Sequence, residues 1–126
     1  FRFGHSTLDS DVGRMNDAAR LFLGEHDLTA FSSAQADGEN RVRTVVDFTV
    51  ESTWDERAQA SLIVFRITAP GFLRYMVRSI VGTMLEVGHG VKDSDTIQTA
   101  IITGNRELAG KTAPAHGLTL MRVDYD

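Results

Sequence analysis

Between Pro70-Gly71 and Gly88-His89-Gly90 the sequence carries Leu73, Met76, Val77, Ile80, Val81, Met84 and Leu85 at spacings of three and four. It is the strongest helical stripe in the chain. A helix with such a stripe is stable only against another apolar surface, so the fold must supply a face to cover it. The candidate face lies just upstream. Val42, Thr44, Val46, Phe48 and Val50 alternate with Arg43, Val45, Asp47, Thr49 and Glu51, and Leu62, Val64 and Arg66 alternate with Ile63, Phe65 and Ile67. Period-two alternation predicts strands with one buried side. The linker Ser52 to Ala60 between them predicts an antiparallel hairpin.

The other elements fall around this unit. Phe1 to Thr7 reads as the end of a linker or strand. Leu8, Val12, Met15, Ala18, Ala19, Phe22 and Leu23 predict a helix over 8–24, with Ser10 or Asp11 at its start and Gly24 at its stop. The polar stretch Glu25 to Asn40 predicts a loop. Pro70-Gly71 predicts the start of the main helix, which runs to about Val87. Asp93 or Ser94 predicts the cap of a shorter helix through Ile97, Ala100, Ile101 and Ile102, closed by Gly104-Asn105. A loop with Pro114 leads to a last strand over Gly117 to Tyr125. The expected order is α-β-β-α-α-β, an α+β fold with an antiparallel sheet covered by helices.

A chain of 126 residues fits one domain with a single core. The lack of cysteine excludes disulfides, thiolate metal sites and a cysteine nucleophile. His5, His26, His89 and His116 are scattered, with no metal-ligand spacing. No apolar run is long enough to span a bilayer and no basic-then-apolar leader opens the chain. A soluble, cytoplasmic protein without membrane contact is the expectation. The net charge of −4 is unevenly spread. Residues 1–63 hold six Arg against eleven acids, and residues 64–126 hold seven Lys plus Arg against six acids. A phosphate-facing surface is therefore expected in the second half.

The residue that carries chemistry is Arg78, in Gly71-Phe72-Leu73-Arg74-Tyr75-Met76-Val77-Arg78-Ser79-Ile80-Val81-Gly82. It borders the apolar stripe one helical step away, and Arg74 lies one turn earlier on the same side of the expected helix. Two readings fit the residues alone. Arg78 is an exposed arginine with its stem packed on apolar neighbours, or it grips a carboxylate with two hydrogen bonds.

The run resembles the motif of TruA-type tRNA pseudouridine synthases: a phenylalanine, then Met-Val-Arg, then Val-Gly. Further matches follow in the family's order. Ala18-Ala19 and Leu21 to Asp27 resemble its first helix and Gly-x-His-Asp turn, and Arg43-Thr44-Val45 its Arg-Thr-Ile strand start. Arg106, Ala109-Gly110 and Thr112 to Leu120 resemble its closing motif, ending in Val123-Asp124-Tyr125. The likeness covers the chain from about Asp11 onward and implies the C-terminal half of a pseudouridine synthase fold.

The resemblance implies isomerisation of uridine to pseudouridine in the anticodon stem-loop of tRNA, without cofactor or metal. In the family an aspartate acts on the ribosyl part, as a nucleophile or through elimination. The arginine of Met-Val-Arg pairs with that aspartate, a role that falls on Arg78. A leucine of the closing Gly-Leu-x-Leu packs on the uracil, which falls on Leu118, with Leu120 as the alternative. Arg74, Arg106 and Lys111 are the candidates for RNA phosphate, and the family implies a homodimer gripping tRNA across two subunits.

The family's Gly-Arg-Thr-Asp-x-Gly-Val-His segment, which bears the aspartate in the N-terminal half, has no match here. Asp27 falls on a turn motif and Asp47 faces away from the Val46 and Phe48 side, so no nucleophile is assigned and this chain alone is expected to be inactive. Leu28, Pro70 and Thr119 stand where the family has phenylalanine, asparagine and tyrosine. The alternative function is a non-catalytic α+β module that binds RNA or dimerises. The sequence upstream of Phe1 discriminates the two.

Overall fold

The computed structural model of the chain describes residues 2–4, 9–33, 40–57, 59–73 and 75–110. The expected last strand over Gly117 to Tyr125 lies outside them, as do Arg74, Lys111, Leu118 and Leu120.

The fold is α+β. Strand β1 (Arg2–Gly4) is followed by helix α1 (Asp9–Ala19), β2 (Gly24–Asp27), β3 (Val42–Val45), β4 (Asp47–Asp55), β5 (Ala60–Thr68), α2 (Met76–Gly88) and α3 (Ser94–Thr103). β4 and β5 form the expected antiparallel hairpin, with Asp47 opposite Thr68 and Asp55 opposite Ala60. The strands run on to Asp55 and from Ala60, where a longer linker was expected. β1 pairs antiparallel with β5, giving a three-stranded sheet in the order β1-β5-β4.

Two other expectations are corrected. Glu25–Asp27 is strand rather than loop, because β2 pairs antiparallel with β3, with His26 opposite Arg43. The Gly-x-His-Asp segment is thus one strand of a two-stranded sheet. The alternating run over 42–50 is also broken. β3 and β4 belong to different sheets, and the break falls at Val46, whose amide donates to the Thr68 carbonyl at 2.7 Å. The break shifts the phase: Val45, Phe48 and Val50 are buried and Val46 is exposed.

The core lies where α1 packs on β4 and on α2. Met15, Ala18, Ala19 and Phe22 meet Phe48 and Val50, Ile63 and Phe65, and the α2 stripe of Met76, Ile80, Val81, Met84 and Val87. The Phe22 ring packs edge-on to Phe31 at 5.1 Å between centroids and tilts against Phe48 at 5.7 Å, an arrangement favoured by the ring quadrupoles. Along one edge of β4 the Asn16 side chain accepts from the Val50 amide at 2.8 Å and donates to its carbonyl. That satisfies backbone groups which would otherwise sit unpaired next to the core.

α3 has the expected ends. The Asp93 carboxylate accepts from the Thr96 amide at 3.0 Å, and Gly104 closes the helix at φ 69°. α2 does not. It starts at Met76 rather than at Pro70-Gly71, so Pro70 to Leu73 run outside the helix. Tyr75 turns the chain into the helix from a left-handed conformation, φ 62° and ψ 2°. At the far end of the described chain, the Gly110 amide donates to Thr83 Oγ1 at 2.8 Å, and that hydroxyl donates to the Ser79 carbonyl at 2.8 Å.

Candidate active site

Arg78 stands in the first turn of α2. Its neighbours on the helix explain its position. Met76, Ser79 and Ile80 are buried and Val77 is half-buried, so Arg78 sits at the margin of the core, itself half-buried. It opens onto a depression of about 340 Å³ lined by Ser32, Ser33, Tyr75, Arg78 and Ser79. The described walls of this depression are the start of α2 and the chain after β2. The guanidinium carbon lies over the Tyr75 ring, 5.3 Å from its centroid, within cation–π range.

The wall opposite α2 is braced from below. Arg106 Nε donates to the Ser32 carbonyl at 3.1 Å, and the Ser32 hydroxyl donates to the Thr29 carbonyl at 3.0 Å. Arg106 Nη2 is buried and makes no hydrogen bond among the described residues. This guanidinium is turned into the protein, where it holds the cleft wall instead of reaching into solvent. Ser32 and Ser33 belong to a polar stretch with no periodicity and no motif. Only the fold brings them to Arg78.

Tyr75 is the other feature that sequence reasoning passed over. A non-glycine residue in the left-handed region costs on the order of 1 kcal/mol or more, and such residues cluster at functional sites. Tyr75 combines that backbone with a ring that is 44% exposed at the cleft.

Asp27 is a structural residue. Its Oδ1 accepts from the Thr29 amide at 3.0 Å and from the Thr29 hydroxyl, closing the turn after β2. The Thr29 hydroxyl bond, then its amide bond, hold the carboxyl below its ordinary value of 3.8, with Arg41 adding a smaller pull and desolvation opposing. A depressed folded-state pKa gives stability that is present above the unfolded value and lost as pH falls through the folded one. Asp27→Ala is therefore expected to cost about 0.5 kcal/mol at pH 7, the scale of an exposed contact, and less as the pH falls through the folded-state value. Thermal unfolding at neutral and at acidic pH checks this.

A second depression of about 370 Å³ lies at the other end of α2, lined by Arg14, Asp17, Val87, Lys92 and Asp93 among others. Its basic groups are committed: Arg14 donates to the Gly88 carbonyl at 2.7 Å and pairs with Asp11, and Lys92 pairs with Glu86 at 3.6 Å. Among the described residues no cluster of three His, Cys, Asp or Glu could hold a metal ion. Nor is any helix there long and apolar enough to cross a membrane.

Arg78 thus stands at the margin of the core of an α+β fold, beside a depression at the start of α2. The model of the tRNA pseudouridine synthase family matches residues 18–126, and the chain belongs to that family. It is 43% identical over 122 residues to tRNA pseudouridine synthase A of Anoxybacillus flavithermus, covering 97% of this chain and 47% of the relative. It is 44% identical over 115 residues to the protein of the same name from Geobacillus kaustophilus, covering 91% and 42%. A third, from Thermodesulfovibrio yellowstonii, is 42% identical over 120 residues, covering 91% and 47%. The chain spans about half the length of the curated relatives it matches.

Proposed function

We propose that this chain is the C-terminal half of a tRNA pseudouridine synthase that isomerises uridine in the anticodon stem-loop, and that Arg78 pairs the catalytic aspartate of the half preceding it. The observation that carries the reading is the placement of Arg78: half-buried in the first turn of α2, beside a depression of about 340 Å³. A guanidinium there offers its fork of N–H donors to a carboxylate. The pairing holds the carboxylate ionised, because a nearby cation lowers its pKa, and it fixes the direction in which the oxygens face the ribose.

The remaining roles rest on the family likeness. Leu118 packs on the uracil face, with Leu120 as the alternative. Arg74 and Lys111 are the phosphate contacts, with Arg106 a brace of the cleft wall that contributes positive charge near it. The functional unit is a cytoplasmic homodimer.

The test uses the full-length protein that contains this chain. Incubated with unmodified tRNA, it is expected to form pseudouridine in the anticodon stem-loop, read by carbodiimide labelling and primer extension. Tight tRNA binding without pseudouridine would instead identify a non-catalytic RNA-binding module.

A further inference from the structure

The strained residue at the head of α2 has no part in the reading above, and its geometry gives it one. Three observations converge on Tyr75. Its backbone is left-handed, at φ 62°, where a Cβ-bearing residue is disfavoured and glycine or asparagine is at ease. Its ring lies under the Arg78 guanidinium, 5.3 Å from centroid to Cζ. It lines the same depression as Arg78 and Ser79, and it caps the helix without using its side chain: its carbonyl accepts from the Ser79 amide at 2.9 Å. Capping therefore does not explain why a bulky aromatic stands in a position that suits glycine.

We propose that Tyr75 is a positioning residue that sets the guanidinium of Arg78 for its carboxylate, an inference that rests on the role of Arg78 given above. A cation–π contact acts on the charge of the guanidinium and takes up none of its N–H donors. The ring can thus fix where the head group lies. The left-handed turn places the ring there. In the right-handed conformation the first helical turn would begin one residue earlier, and the side chain would leave the backbone in another direction.

The experiment measures kcat and KM for tRNA in the full-length enzyme. Tyr75→Gly removes the ring and suits φ 62°, so its Tm is expected to stay within about 3 °C while kcat falls about tenfold, the scale of a partly desolvated cation–π contact. KM is expected to change less than twofold. Tyr75→Asn, which also tolerates the backbone, gives the same result if the glycine variant folds poorly. Tyr75→Phe keeps the ring face and the rate. In the double variant with Arg78→Lys, the loss of Tyr75 is expected to add almost nothing, since it acts through Arg78. Turnover within twofold of wild type for Tyr75→Gly and Tyr75→Asn, or fully additive losses in the double variant, overturns the proposal while leaving Arg78 in its role. An active Arg78→Lys enzyme overturns both.

Discussion

Arg78→Lys is expected to lower kcat on tRNA about a hundredfold, with KM and Tm little changed. The size follows from comparing what the two side chains offer. Lysine keeps the charge but has no planar fork, so it cannot hold both carboxylate oxygens or fix their plane. Loss of one preorganised charge-stabilising contact costs on the order of a hundredfold, equivalent to about 2.7 kcal/mol. In the proposed role the pairing acts at the reacting centre and not on a remote part of the tRNA, so the loss is expected to fall on kcat. Stability is spared because Arg78 lies at the margin of the core, half-buried, where a lysine stem covers the same apolar neighbours. Arg78→Gln removes the charge as well. It is expected to move the acidic limb of the kcat profile to higher pH, since the carboxylate loses the cation that depresses its pKa. Single-turnover assays across pH 5 to 8 check both variants, and a lysine enzyme with wild-type kcat removes the assigned role.

Gly110→Ala carries the largest expected effect on stability. Gly110 lies against α2 so closely that an added Cβ would sit 2.6 Å from Glu86 Oε2, 2.8 Å from Glu86 Cδ and 2.9 Å from the Cα of Thr83. The Glu86 carboxylate can swing aside at the cost of its pairing with Lys92, but the Thr83 backbone cannot move without shifting the helix. The displaced chain would also lengthen the Gly110 amide bond to Thr83 Oγ1. Overpacking of this kind costs typically 1–3 kcal/mol, so a loss of about 2 kcal/mol is expected. In the full-length protein that corresponds to a Tm lower by about 4–8 °C. An unchanged Tm would mean that Gly110 does not dock on α2 as described.

How far the sequence could be read depends on how local each signal is. α3 was legible at both ends, because Asp93 and Gly104 carry their capping chemistry in their own side chain and backbone. The stripe of α2 was legible too, since Met76, Ile80, Val81 and Met84 are all buried. Its start was not. Proline and glycine are good helix-entry signals, yet the chain runs on unwound to Leu73, and a left-handed tyrosine has no compositional signature. β2 was missed because Gly24, Glu25 and Asp27 are exposed and His26 is half-buried, so no alternation marks it. The break at Val46 was missed because valines on both sides fit either phase, and only sheet membership decides which one is buried.

The site divides along the same line. Arg78 stands out in the sequence through its motif. The serines of the cleft do not, since Ser32 is held there by a hydrogen bond from Arg106, seventy-four residues away in sequence, and Ser33 follows it. Nor does a lone arginine such as Arg106 show in the sequence which way its head group turns.

The most direct measurement is the distance from Arg78 to a carboxylate in a crystal structure of the full-length protein. The account predicts an aspartate from the segment preceding Phe1 within the Arg78 cleft, its two oxygens about 2.7–2.9 Å from guanidinium nitrogens and the Tyr75 ring still packed beneath. A structure with that aspartate elsewhere, or with Arg78 turned to bulk solvent and no carboxylate within about 5 Å, a reach beyond which charge pairing fades, would contradict it.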